Sequence, residues 1–291
     1  MICKMISLIH LRPMNVKRNS LYLLLLLAFV LLASCHKKNQ QIDYNAGIAA
    51  SQQYVSARQM MDLLMNTYFK SITDSVLLTD FTSRIDGATV RYSENPEQVI
   101  TIDYSSWGVS DGYGHYRSGI ITAYAPSGFY DSLATVNINF ENFRYDGDSV
   151  FVSGMTVKNL GRTDGENKAF SIKAVSVTRM YSDSTGITFD MDEVFRWQKD
   201  ASSVFYTADE RFLIDGRING YLSQNNYYHA LIDKAEPVLS DFSCPYAKYG
   251  PARITFDVED YTASIYFPFG DTCNNVYEVD INGFGYNFPY N

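Results

Sequence analysis

Three carboxylate residues lie close together in the segment FDMDEVFRW, which runs from Phe189 to Trp197. Paired carboxylates can act as acid and base in glycoside hydrolysis, and the same groups can bind Ca²⁺. If the segment is a strand, Asp190 and Asp192 share one face because side chains alternate along a strand. One hypothesis is therefore a hydrolase of envelope polysaccharide that uses Asp190, Asp192 and Glu193, and the competing interpretation is a solvated turn.

Histidines that could activate a nucleophile are few. A serine or cysteine nucleophile needs a base within hydrogen-bond reach, and after the N-terminal segment the sequence contains His36, His115 and His229. His229 lies in the segment NNYYHALID and is expected to be a strand residue among aromatic neighbours. Because the chain contains neither a P-loop nor an HExxH motif, we predict no catalytic residue, no metal ion and no cofactor.

Aromatic side chains indicate binding chemistry. The chain contains 23 Tyr, 18 Phe and 2 Trp, and the flat faces of Trp and Tyr can stack on sugar rings while their polar ends form hydrogen bonds. In the competing interpretation these rings only cover strands. The candidate ligand surface consists of Trp and Tyr residues in or beside predicted loops: Trp107, Tyr113, Tyr116, Trp197, Tyr227 and Tyr228.

The N-terminal segment indicates export. Residues 21–32 form an apolar run of 12 residues preceded by basic residues, which is too short to span a bilayer but typical of a secretory signal. The run ends in LASC, which resembles the lipobox of bacterial lipoproteins and implies cleavage before Cys35 and its diacylation. We expect residues 1–34 to be the signal peptide, with Met14 as the alternative start. A plain signal peptide with an incidental cysteine is the competing interpretation.

Composition limits the partners. The chain has a formal net charge of −8, and removing residues 1–34 takes away four basic residues and no acid, which leaves −12. A chain this acidic is a poor partner for nucleic acid. The hydrophobic content of 46% argues against a disordered chain.

Two cysteines remain beyond the lipobox, Cys244 and Cys273. In an oxidising envelope an isolated pair indicates a disulfide, and closing a loop of about 30 residues would contribute roughly 3–4 kcal/mol. Two free thiols are the alternative. A zinc site lacks the CxxC or clustered histidines that it would need.

A helix is predicted over residues 46–76, after a polar tether at 35–45. Its apolar residues recur at helical spacing and should pack against a core. They are Tyr54, Ala57, Met61, Leu64, Met65, Tyr68 and Ile72. The opposite, polar face carries Gln53, Ser56, Gln59 and Asn66.

Residues 77–291 are expected to form an antiparallel β domain, because apolar and polar residues alternate in segments such as 100–104, 136–140, 254–258 and 263–267. Turn pairs such as Asp146-Gly147, Asp164-Gly165 and Asn282-Gly283 separate them. The predicted fold is mainly β, either a β-sandwich or a curved half-barrel meander, with one N-terminal helix. The half-barrel would offer an apolar groove for a lipid; the sandwich would not.

The C-terminal segment carries a family resemblance. The stretches FGDTCNN (269–275) and VDING (279–283) resemble the aromatic-Gly-Asp-Gly-x-Cys-Asp-Asn ending of uncharacterised lipoproteins of the Bacteroidetes, and the likeness extends over residues 88–291. This chain lacks the glycine between Asp271 and Thr272 and a cysteine in the loop SSWGVSD. The resemblance implies fold and envelope location, and no activity. In such lipoproteins an acidic stretch after the cysteine accompanies surface export, so the basic HKKNQQ tether favours the periplasmic face of the outer membrane.

These observations lead to a lipid-anchored, non-enzymatic envelope protein that binds a glycan, a lipid or an outer-membrane protein. Its expected partners are the membrane, through the N-terminal lipid, and one of those ligands. The alternatives are the hydrolase that uses Asp190, Asp192 and Glu193, and a periplasmic lipid carrier.

Overall fold

The computed structural model describes residues 44–94, 97–129, 131–163, 167–198, 211–223, 226–268 and 273–290. The predicted signal peptide, Cys35 and nearly all of the predicted tether lie outside these residues. None of the described helices is long and apolar enough to cross a membrane.

Two helices begin the described chain: α1 runs Asn45–Thr73 and α2 runs Ser75–Asp80. The predicted single helix over 46–76 therefore ends early and is followed by a second, short helix. The break falls at Asp74, whose backbone is extended, with φ −75° and ψ 111°. Its carboxylate accepts a hydrogen bond of 2.9 Å from the Val76 N–H, which caps α2.

The rest of the described chain forms sixteen strands, which confirms the mainly β fold. They are β1 Thr82–Ile85, β2 Ala88–Ser93, β3 Gln98–Asp103, β4 Val109–Ser110, β5 Tyr116–Ala125, β6 Thr135–Tyr145, β7 Asp148–Thr163, β8 Asn167–Met180, β9 Gly186–Gln198, β10 Arg211–Ser223, β11 Asn226–Ile232, β12 Val238–Asp241, β13 Gly250–Phe256, β14 Ala263–Phe267, β15 Val276–Ile281 and β16 Phe284–Pro289.

The strands belong to one antiparallel sheet that does not close into a barrel. Each strand pairs with its neighbours in sequence, except that β4 pairs only with β5, β12 pairs with β10, and β11 pairs with β13. The described residues thus form a single curved meander and no second sheet. The turns Asp146-Gly147 and Asn282-Gly283 connect β6 to β7 and β15 to β16 with positive φ at all four residues, as their sequences predict. The pair Asp164-Gly165 lies outside the described residues.

Helix α1 fills the space inside the sheet. Every residue from Ala57 to Thr73 is buried, and the helix contacts strands from both ends of the sheet, β1 and β15 among them. The expected solvent-facing stripe is therefore wrong for Gln59 and Asn66, which are buried and paired with His115 and with the Asp241 carbonyl. A sheet that curves around a helix covers the polar face as well as the apolar one.

Aromatic rings fill the space between α1 and the central strands. Phe69 is fully buried, and its ring lies 4.9 Å from that of Phe170 and 4.7 Å from that of Phe212. Trp197 and Phe195 lie around the same ring.

At the C-terminal end, Cys244 and Cys273 form the predicted disulfide, with their Cα atoms 5.4 Å apart.

Removing the Phe69 ring tests this packing. Phe69→Ala should lower the free energy of unfolding by about 3–5 kcal/mol, because the surrounding aromatic rings cannot collapse into the space left behind. Thermal and urea unfolding followed by circular dichroism measure the change. Phe151→Ala, on the exposed side of β7, is the matched control and should stay within about 0.5 kcal/mol of the parent. Equal losses in both variants would contradict a helix-filled interior.

Candidate functional site

The predicted cluster of three carboxylates is not formed. Side chains of β9 alternate strictly between buried and partly exposed, so Asp190 and Asp192 lie on the outer face and Glu193 points at α1. Asp190 accepts a hydrogen bond of 2.7 Å from the Ser176 N–H, and Asp192 forms a partly exposed ion pair with Lys173. The prediction that Asp190 and Asp192 share a face is correct, but Glu193 is on the opposite face of the sheet.

Glu193 belongs instead to a buried ion network with two residues of α1. The Arg58 guanidinium donates to Glu193 Oε2 and to Asp62 Oδ1, each at 2.5 Å, and all three side chains are almost fully buried. One arginine faces two carboxyl groups in a medium that disfavours charge. Burial raises the pKa of Glu193 to about 7 against the opposing effect of Arg58, and it raises the pKa of Asp62 as well. Because both carboxyl groups face the same guanidinium, the charge of one influences the pKa of the other.

The structure divides the six predicted ligand-surface aromatics between interior and exterior. Trp197 and Tyr228 are only 4% and 1% exposed, so their assignment to a ligand surface is wrong. Both lie at inward positions of their strands, which a loop assignment could not reveal. Tyr113 is half-buried and donates to the Phe242 carbonyl, and Tyr227 packs edge-on against Tyr221.

The remaining two, Trp107 and Tyr116, meet in the loop around β4. The indole of Trp107 is 88% exposed. The Tyr116 hydroxyl donates to the backbone carbonyls of Trp107 and Gly108, at 2.9 and 3.0 Å. Gly108 has φ 83°, and a Cβ there would lie 2.3 Å from the Tyr116 ring, so the position requires glycine. The backbone is therefore held firmly while the indole is fully presented to solvent.

A cleft lies beside this loop on the outer surface of the sheet. It has a volume of about 430 Å³, and its polar lining residues include Asp103, Ser106, Ser118, Glu141, Asn142 and Arg144. Ser106, which lines the cleft, directly precedes Trp107 in the chain. The cleft forms at a bulge between β5 and β6, where Gly119 and Asn142 have φ of 92° and 49°. A Cβ at Gly119 would lie 2.4 Å from the Asn142 carbonyl oxygen.

A second cleft of about 410 Å³ adjoins the first and shares Asn142 and Arg144 with it. Here β6 and β7 separate: they pair at Ile138–Met155 and again at Arg144–Ser149, but no pairing connects the described residues between these points. Phe151 lines the opening and is largely exposed. We call the two clefts together the outer groove. It combines apolar surface with the polar side chains of Glu141, Asn142 and Arg144, and Phe151 lines the second cleft.

The histidines do not form a nucleophilic centre. His115 is buried, and its two ring nitrogens lie 2.9 Å from Gln59 Nε2 and 2.9 Å from Asp146 Oδ2. Burial works to raise the pKa of Asp146, but hydrogen bonds from His115 and the Tyr116 N–H hold it below the usual value. His229 is a strand residue of β11, as expected, and bonds Asn219 and Asp257.

One motif escaped the sequence analysis. Residues 108–112 read GVSDG and match the GxSxG pattern of a nucleophile elbow, three residues before His115. In an elbow the serine lies on a sharp turn from strand to helix, whereas Ser110 ends β4 and pairs with Tyr116 in a hairpin. Ser110 and His115 therefore point to opposite faces, and the match is incidental.

Within the described part of the chain, no three His, Cys, Asp or Glu side chains gather as metal ligands would. Comparison of the chain with protein-family models, with curated proteins and with solved structures found no match.

The buried carboxyl pair generates a prediction about pH. Because the folded-state pKa of Glu193 is raised from 4.5 to about 7, its contribution to stability is complete below about pH 4.5 and is lost as pH rises through 7. The loss attributable to this group is up to about 3 kcal/mol. Glu193→Gln, which resembles the protonated form, should flatten the fall in unfolding free energy between pH 5 and 8.

Urea unfolding at several pH values measures this effect. Asp192→Asn, one residue away on the outer face, is the matched control and should keep the slope of the parent protein. A Glu193→Gln variant with the full slope would show that the carboxyl is ionised in the folded state.

Proposed function

We propose that this chain is a lipid-anchored envelope protein that binds a glycan in the outer groove. The observation that carries the proposal is Trp107, an exposed indole on a firmly held loop whose preceding residue, Ser106, lines a cleft. An exposed indole offers a large, flat apolar face with a polar N–H group at its edge. Sugar rings combine an apolar C–H face, which stacks on an indole, with hydroxyl groups that need hydrogen-bond partners.

The groove supplies those partners. Glu141, Asn142 and Arg144 are exposed and lie in a row along β6. Carboxylate and amide oxygens accept hydrogen bonds from hydroxyl groups, and guanidinium and amide nitrogens donate to them. Asp103 is already engaged by the Ser105 N–H at 2.9 Å and by an exposed ion pair with Arg91. A few placed polar groups beside an apolar surface are the usual composition of a small-ligand site.

Other features support binding over the alternatives. A hydrolase needs two carboxyl groups that flank the scissile bond, and the sheet separates Glu193 from Asp190 and Asp192. A lipid carrier needs an apolar space, and α1 occupies the inside of the sheet. The LASC segment and the resemblance to Bacteroidetes lipoproteins support an anchor at Cys35 in the outer membrane, and the basic HKKNQQ tether supports its periplasmic face.

Trp107 provides the test of glycan binding. The mature protein should bind members of an array of bacterial envelope oligosaccharides, and Trp107→Ala should weaken that binding at least tenfold, since it removes the stacking surface. Titration calorimetry measures the affinity. Tyr266→Ala, another exposed aromatic position on β14, is the matched control and should bind as the parent does. An array without a bound glycan, or equal affinity in both variants, would contradict the proposal.

Cys35 provides the test of the anchor. Cells that express the full chain and are fed an alkyne fatty acid should label the protein, and Cys35→Ser should abolish the label because the acylated thiol is absent. Ser34→Ala, a small-residue change beside the cleavage site, is the control and should remain labelled. Label that persists in Cys35→Ser would show that the cysteine is incidental.

A further inference from the structure

The last strand of the sheet leaves part of its inner face uncovered. Phe284, Tyr286 and Phe288 pair with Ile281, Val279 and Tyr277 of β15. Paired residues share a face, and the three β15 side chains are fully buried. Their β16 partners are not: Phe284 is 59% exposed, and the other two are only half-buried. The apolar row of the interior therefore continues beyond the part that α1 covers.

The edge formed by β16 carries little of the usual protection. Natural edge strands carry charged residues, prolines, bulges or a covering element that prevent pairing with other chains. The sequence FGYNFP contains no charged residue, its one proline is the last residue of the strand, and no described strand pairs with the outer edge of β16. We expect an uncharged aromatic edge of this kind to contact another molecule or a surface.

The start of α1 lies against this edge. The ring of Tyr44 is 6.0 Å from Phe284 and 5.4 Å from Tyr261. The Gly47 N–H donates to the Tyr261 hydroxyl at 3.0 Å, which holds the first turn of the helix in place. Tyr44, Phe284, Tyr286 and Phe288 thus form one continuous surface, here named the aromatic ledge.

The length of the preceding chain limits what the ledge can reach. Only eight residues separate Tyr44 from Cys35, and the nine Cα–Cα steps of this segment span about 30 Å when fully extended. If Cys35 is acylated, the Tyr44 end of the ledge lies within this distance of the bilayer surface. A short tether raises the effective concentration of its two ends to the millimolar range, so even a weak contact would be occupied.

We propose that the aromatic ledge docks on the lipid bilayer that holds the N-terminal anchor, with its rings at the level of the headgroups. The proposal rests on the anchor of the proposed function and is independent of glycan binding. Aromatic side chains are enriched at membrane interfaces, and an uncharged strand edge loses no ionic hydration there. The acidic residues Asp257, Glu259 and Asp260 precede Tyr261, so the ledge suits zwitterionic lipids and is repelled by anionic ones.

In the test, the mature chain is attached to lipid vesicles by chemical coupling instead of by acylation in the cell. Cys244 and Cys273 are joined in a disulfide, so Cys35 is the only free thiol of the mature chain and can be coupled to a maleimide lipid in phosphatidylcholine vesicles. Hydrogen exchange of the β16 amides should then be at least threefold slower than in the uncoupled protein. Exchange in the loop around Trp107 should not change.

Two variants and one lipid change sharpen the result. Phe284→Asp should remove the slowing, whereas Leu231→Asp, on β11 and similarly exposed at 51%, should retain it. Phosphatidylglycerol vesicles should reduce the slowing in the parent protein. Near-ultraviolet circular dichroism of each uncoupled variant confirms that the aromatic core is intact, and Phe284→Ser replaces Phe284→Asp should the latter fail to fold.

Other outcomes would overturn the proposal. Unchanged exchange of β16 on the vesicles would show that the ledge does not touch the bilayer. In the uncoupled protein, hydrogen exchange of the β16 amides could become slower as the protein concentration increases. Together with the mass of a dimer in light scattering, this result would assign the ledge to a second copy of the chain. Because coupling is chemical, these results are independent of whether cells acylate Cys35.

Discussion

The structure depends on one constraint: a single curved sheet must bury the part of α1 from Ala57 to Thr73 on all of its faces. A helix of 29 residues is about 44 Å long, and the described strands, paired one after another, surround it from β1 to β15. A meander can do this because successive hairpins add strands along one direction, and the twist of each pair curves the sheet. Burial of α1 then makes the inside of the sheet a packed core of apolar and aromatic side chains.

Full burial has an electrostatic consequence, because α1 carries polar and charged residues into the interior. Each needs a partner from the sheet, since an unpaired buried charge costs several kcal/mol. Arg58 bonds Glu193 of β9, Lys70 bonds Asp86 in the β1–β2 turn, and Gln59 bonds His115. These contacts join the helix to distant strands and set its rotation and its position along the axis. Glu193, which belongs to a possible catalytic cluster in the sequence, therefore holds the helix against the sheet through Arg58.

Local signals account for what the sequence analysis predicted correctly. Period-two alternation identified the strands, Asp146-Gly147 identified a hairpin, and two isolated cysteines identified the disulfide, since each signal lies within a few residues or is a property of one residue type. The errors concern long-range packing. Gln59 and Asn66 are polar and lie on the helix face opposite the apolar stripe, so their burial follows only from the sheet that covers this face. Glu193 and Asp192 are adjacent carboxylates in the sequence, and only the strand's orientation shows that Glu193 points inward. Trp197 was assigned to a surface because a long buried strand could not be distinguished from a loop. The outer groove could not be found, because it depends on Gly119 meeting Asn142 across two strands.

A filled interior determines where recognition can occur. When a helix occupies the concave side, ligands can be bound only on the outer face, in loops or at the edges of the sheet. On the outer face, the β5–β6 bulge and the separation of β6 from β7 interrupt an otherwise regular surface and create a groove. At the edge, the sheet extends beyond the helix and leaves β16 with a row of aromatic side chains. Both features arise where the regular pairing ends. The groove has polar side chains such as Glu141, Asn142 and Arg144 along an apolar surface, and the uncharged ledge lies next to Tyr44, where the described chain begins.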